Sequence, residues 1–289
     1  MSRQEVLVLE QEVEELLETA GRGDLAETLS ILQSTGCVEK KETLTIELLL
    51  NLQVDNEDHP GVNVIKAILD SLHPLTQIIL FKRMPWFSMR GSWVYHRVRL
   101  LLDSMTDDEI RFRILGQHRF NNEIYVSHDF NLRSHIHQAV SCRNTEVVRA
   151  MLDSVGQEYR FRLLTMRDGF KHAPLHDLCV SGGHRQGPVE NSKEFILTKT
   201  MLACLSNEQR YEVLTMLNAD DRIPFVDAFI HGHNDVVEGI KSSLSSEEWY
   251  TLLSSEQIRS FRGSDRKAYV TEAKVNAIID IYATEQSGW

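Results

Sequence analysis

Met151-Leu-Asp-Ser-Val-Gly-Gln-Glu-Tyr-Arg-Phe-Arg-Leu-Leu-Thr-Met166 and Met201-Leu-Ala-Cys-Leu-Ser-Asn-Glu-Gln-Arg-Tyr-Glu-Val-Leu-Thr-Met216 are two versions of one pattern. Its opening phrase recurs as Ile68-Leu-Asp-Ser-Leu72, Leu101-Leu-Asp-Ser-Met105 and Ile240-Lys-Ser-Ser-Leu244, so the five starts lie 33, 50, 50 and 39 residues apart. A weaker copy, Ile31-Leu32, falls 37 residues before Ile68. Self-similarity at this period marks a repeat architecture, in which each unit hides its apolar flank against the next.

The flanks of the phrase assign its helices. Upstream, Val64-Ile65, Val147-Val148 and Val236-Val237 precede Ile68, Met151 and Ile240 at the i, i+3, i+4 spacing of one buried helix face. Downstream, Asp107–Leu115, Gln157–Leu164, Asn207–Leu214 and Glu247–Leu253 match one another. Each follows Ser, Thr or Gly and carries acids early and Leu late, which predicts a short helix with an N-cap and acids matched to its dipole. The unit is thus a helix pair with a third short helix added. Before the phrase, Pro85, His135 and Pro224 each stand 16 residues ahead of Leu101, Met151 and Ile240, so the inner helix also has a fixed place.

The letters at that place resemble ankyrin repeats. Ala173-Pro174-Leu175-His176 keeps a Pro-Leu-His helix opening, Ser134-His135-Ile136-His137 keeps the hydroxyl and the histidine, and Ile223-Pro224-Phe225 is followed by Ala228, Gly232-His233 and Asp235-Val236-Val237. Proline suits a first helical turn, where its missing N–H has no partner to lose. Ser134 is placed to cap its helix and hold the His137 ring, and Gly232 supplies the positive φ that ends the inner helix. Arg143 and Trp93 replace that glycine elsewhere, and residues 183–191 read as an insertion. The resemblance implies an all-α, ankyrin-like solenoid of about five to six helix-pair repeats with extra short helices. It is clearest over residues 85–253, with divergent units over 15–84 and a cap over 254–289 that includes a helix at Glu272–Thr284. With no Gly-, Pro- or Ser-rich linker, residues 1–289 read as a single domain.

Composition narrows the function. The chain has 289 residues, 42% apolar and 25% charged, with a formal net charge of −11. A surplus of 42 acids over 31 bases disfavours nucleic acid and anionic membranes as partners. The four cysteines form no CxxC pair, no apolar run reaches membrane-spanning length, and the N-terminus lacks signal-peptide order. The expected compartment is the cytoplasm, with the nucleus as the other reducing choice. His135/His137 and His231/His233 form HxH pairs, but repeat positions account for His137, His176 and His233, so no metal or cofactor is expected. Cys179, near His176, Asp177 and His184, takes a small core position in the register, against the alternative of a catalytic thiol. Ser181–Gly187 reads as a solvated loop rather than an anion nest. Arg160 and Arg210 read as helix surface, and Phe161 and Tyr211 as core.

The expected function is protein–protein interaction through a concave face and the tips of loops between units, with a partner protein and no small-molecule substrate. The resemblance maps exposed inner-helix positions to Ser88, Gln138, Asp177 and Asp227, with Ser92, Cys142, Ser181 and His231 one turn later. It maps the tips to Phe130, Arg133, Arg167, Phe170, Lys171, Asp221 and Arg222. A phenylalanine among mixed charges fits an anchor within a polar rim. The alternatives are an enzyme or effector with a site near the 183–191 insertion, and a self-assembling scaffold.

Overall fold

A computed structural model describes residues 3–34, 38–51, 59–84, 94–105, 107–116, 133–180 and 189–254. Among these are sixteen α-helices and no β-strand. Contacts group into two compact units, Met1–Ile114 and Leu115–Trp289. Ser88, Ser92, Phe130, Ser181, Pro85, Trp93, most of the 183–191 insertion and the expected cap lie outside the described residues.

The first unit holds α1 (Arg3–Arg22), α2 (Leu25–Ser34), α3 (Val38–Asn51), α4 (Pro60–Ser71), α5 (Pro74–Arg83) and α6 (Val94–Asp103), with α7 at Asp108–Gly116. α1 packs on α2, α3 and α4, and α4 on α6. Leu16, Leu44, Leu48, Leu49, Leu69 and Phe81 are buried at the centre. Two helices open on His-Pro: the Nδ1 atoms of His59 and His73 accept from Gly61 N and Leu75 N, while Pro60 and Pro74 take the first helical position. The buried Gln77 amide donates to Leu69 O (2.8 Å) and Ser104 O (3.3 Å), tying the ends of α4 and α6.

Among its described residues the second unit shows one pattern three times. α8 (His135–Ser141), α9 (Thr145–Asp153) and α10 (Gln157–Thr165) are followed by α11 (Pro174–Val180), α12 (Lys193–Ala203) and α13 (Asn207–Thr215), then by α14 (Pro224–Ile230), α15 (Asn234–Lys241) and α16 (Ser246–Leu253). First helices pack on first helices (α8 on α11, α11 on α14), second on second (α9, α12, α15) and third on third (α10, α13, α16). Val147, Val148, Met151, Leu152, Leu197, Met201, Leu202, Val236, Val237 and Ile240 are all buried in the second-helix layer. At Gly239, α15 closes onto α12 so tightly that a Cβ would meet Thr198 Cβ at 2.8 Å.

The recurring phrase has a mechanical reason. In the copies at 101, 151 and 201 its first, second and fifth residues are core, and its fourth turns back on the helix end. Ser71, Ser104 and Ser154 donate to the carbonyls of Ile68, Leu101 and Met151 at 2.6–2.8 Å, and the Cys204 thiol reaches Met201 O at 3.2 Å. These contacts occupy carbonyls that a helix C-terminus leaves unpaired. The third helix adds a clamp. Arg111 Nε donates to Leu102 O and Met105 O, and Arg160 Nε donates to Leu152 O and Val155 O, all at 2.7–3.0 Å. A hydrogen bond from a charged donor contributes roughly 1.5–3 kcal/mol. Arg160 and Arg210, expected at the helix surface, are therefore structural ties, Arg210 through Ser243 O, and Phe161 and Tyr211, expected in the core, are only half-buried because Leu163, Leu164, Val213 and Leu214 fill it. Ser206 and Ser245 cap α13 and α16 in full capping boxes. The turn after the first helix is left-handed at Gly232 (φ 74°) and at Arg143 (φ 53°), the expected replacement.

Candidate functional site

The chemistry gathers where a third helix turns into the next first helix. Two such turns are described, around residues 168–172 and 218–222. In the first, Asp168 Oδ1 accepts from Phe170 N and His172 N, both at 2.8 Å, and Asp168 N donates to His172 O at 2.9 Å. In the second, Asn218 Oδ1 accepts from Asp220 N (2.9 Å) and Arg222 N (3.1 Å), and Asn218 N donates to Arg222 O at 3.0 Å. Lys171 (φ 58°) and Asp221 (φ 55°) take the same left-handed place. The turns are also joined: Ala219 N donates to Phe170 O (3.0 Å) and Arg167 Nη1 to Leu217 O (2.9 Å).

Buried imidazoles fix these turns from behind. The His137 ring meets His172 O at 3.0 Å, and the His176 ring meets Arg222 O at 3.0 Å, both through Nε2. A carbonyl only accepts, so Nε2 carries the proton and Nδ1 is the acceptor. That acceptor faces the Ser134 hydroxyl at 2.6 Å in one ring and Ala173 N at 3.3 Å in the other. Ser134 stands at the N-cap position, as expected, but its hydroxyl is spent on the ring rather than on the helix end. Burial pushes both histidines toward neutrality, His176 to a pKa of about 4. In the last described unit buried Val226 stands where these rings would be.

In front of the rings lies a charged cluster. Asp177, on α11, has no exposed side-chain surface. Its Oδ1 accepts from Arg133 at 3.2 Å and its Oδ2 from Ser141 Oγ at 3.3 Å. His172 Nδ1 stands 3.6 Å from Asp177 Oδ1 and 4.0 Å from Asp168 Oδ2. Asp177 raises the His172 pKa, burial opposes it, and Asp168 adds to the rise. At 3.6 Å this is electrostatic attraction rather than a made hydrogen bond. Asp168 Oδ2 is buried, makes no hydrogen bond, and has Arg133 Nε 3.7 Å away. One unit on, Asp227 Oδ2 accepts from Asn218 Nδ2 at 2.7 Å, with Arg222 3.8 Å from Oδ1. Burial nonetheless lifts the Asp227 pKa to about 6. The rings of His172 and His176 stack at 5.7 Å.

Asp177 and Asp227 correct the expectation for exposed inner-helix positions: both are buried, because cations at the turns, Arg133 and Arg222, and the Asn218 amide draw them inward. Arg133 and Arg222 are correspondingly half-buried. Gln138 is half-exposed, and Arg167, Phe170, Lys171, Asp221, His231 and Cys142 are exposed, Phe170 to 45%. Cys179 is fully buried and burial drives its thiol pKa well up, in keeping with the expected small core residue.

Sequence reasoning missed the set Asp168, His172 and Asp177, whose oxygen and Nδ1 donors lie within 4.8 Å of one another. Alignment of the two turns would have exposed it, since Asp168, His172 and Asp177 stand where Asn218, Arg222 and Asp227 stand fifty residues later. No protein-family model matches the sequence, and no curated protein matches it either. No helix among the described residues is long and apolar enough to cross a membrane.

Proposed function

We propose that the chain is an ankyrin-type repeat module that captures a partner protein, in the cytoplasm or nucleus, on the tips of its inter-unit turns. The reading rests on one observation: exposed Arg167, Phe170, Lys171 and Asp221 sit on turns cross-tied by backbone and imidazole hydrogen bonds. Variable, exposed tips on a fixed scaffold are the usual place for recognition. An exposed aromatic ring beside cationic and anionic side chains offers an anchor and a polar rim, the arrangement that dominates binding energy at protein interfaces. The helix pairs and the Pro-Leu-His opening support the ankyrin assignment.

The test is affinity capture with the full chain, followed by Phe170→Ala, Arg167→Glu and Asp221→Lys. The last places at 221 the residue that position 171 already carries. Each substitution is expected to weaken partner retention at least about tenfold, or ~1.4 kcal/mol; melting should hold for Phe170→Ala and Asp221→Lys and fall slightly for Arg167→Glu, which also breaks the tie to Leu217 O. A partner held undiminished by all three variants would exclude the tips as the binding face.

A further inference from the structure

We propose that Asp168, His172 and Asp177 form a site for a divalent transition-metal ion of the zinc class, with Arg133 as the group the ion displaces. The inference is independent of the partner-binding reading.

The turn uses only Asp168 Oδ1, and the next turn performs the same work with Asn218, so the structure does not require a carboxylate at 168. The charge is surplus to the turn, and the oxygen carrying it, Oδ2, is buried without a hydrogen bond. His172 Nδ1 is buried and unbonded in the same way and faces it at 4.0 Å.

One imidazole nitrogen and two carboxylate oxygens suit zinc and its neighbours, whereas calcium and magnesium prefer oxygen alone. Donors about 2.0–2.1 Å from a tetrahedral ion stand roughly 3.4 Å from one another. The His172 nitrogen is 3.6 and 4.0 Å from the two oxygens, so small side-chain rotations close the set. The supporting contacts are in place: two backbone N–H groups hold Asp168 Oδ1, and Ser141 holds Asp177 Oδ2. Such contacts orient ligands and raise affinity.

Arg133 neutralises the pair from 3.2 and 3.7 Å, too far from Asp168 for a hydrogen bond, and its side chain keeps 30% of its surface in solvent. It can leave outward, and a divalent ion then replaces its charge with fixed coordination.

The experiment is titration of the full chain with Zn²⁺ against a chromophoric chelator, with thermal melting in parallel. The wild type is expected to bind one ion more than Asp168→Asn or His172→Arg. Both variants copy residues that neighbouring units carry at these places, Asn218 and Arg222, so neither should melt below the wild type without metal. Arg133→Gln should tighten binding about tenfold, by removing a competitor worth ~1.4 kcal/mol. Mg²⁺ and Ca²⁺ should shift nothing. Equal zinc binding by the wild type and both folded variants would overturn the proposal, as would a wild-type melting point indifferent to zinc.

Discussion

The turn at 168–172 and the turn at 218–222 have one backbone and two electrostatic designs. In the second, Asn218 donates to Asp227 and Arg222 stands beside it, so one buried carboxylate meets an amide and a cation from its own turn. In the first, two buried carboxylates share Arg133 from the preceding unit and the His172 ring. The hydrogen-bond skeleton is therefore what the fold demands, and the charge set is free to differ. A difference that costs burial of an extra carboxylate, with no turn geometry gained, points to work other than folding.

The largest expected effect comes from breaking what the two turns share. His176→Ala removes the bond to Arg222 O and leaves a cavity, so unfolding free energy should fall by about 3 kcal/mol in urea titration. Next is conversion of one design into the other. Asn218→Asp deletes the donor to Asp227 and places a second negative charge against it, for an expected loss of about 2 kcal/mol at pH 7. Thermal melting at low salt would register this, and an unshifted midpoint would mean that the two designs are interchangeable.

The pH dependence sharpens the contrast. The folded Asp227 pKa, about 6, lies above the unfolded value of 3.8. The folded state thus holds this proton more tightly, and stability from this group is highest in acid and falls as pH rises through the interval from 3.8 to 6. From pH 5 to pH 7 the loss is about 1 kcal/mol. Asp227→Asn should abolish that component, seen as the difference between urea midpoints at the two pH values. The smallest effect tests the likeness of the backbones: Lys171→Gly and Asp221→Gly should each raise stability by about 0.5 kcal/mol, because glycine tolerates the left-handed conformation. Unequal responses would show that the turns are less alike than their bonds suggest.

What could be read from sequence alone followed from distance along the chain. Helix faces, caps and the Gly232 and Arg143 turns are set within a few residues, and periodicity carries them. Asp177 was misplaced because its partner Arg133 lies 44 residues upstream, and no local pattern marks an acid that a neighbouring unit buries. Arg160 was misplaced for a related reason: its reach back to Leu152 O depends on the angle between two helices, which composition does not encode. The Asp168, His172 and Asp177 set needed two units to be laid side by side and read for their differences rather than their likeness.

The tie between Phe170 O and Ala219 N bears on more than turn geometry. It leaves the Phe170 side chain partly in solvent, beside the His172 ring, while its main chain is already held by the adjoining loop. A surface that closes over this ring meets a peg whose footing is immobilised beforehand, so little ordering entropy remains to be surrendered on contact.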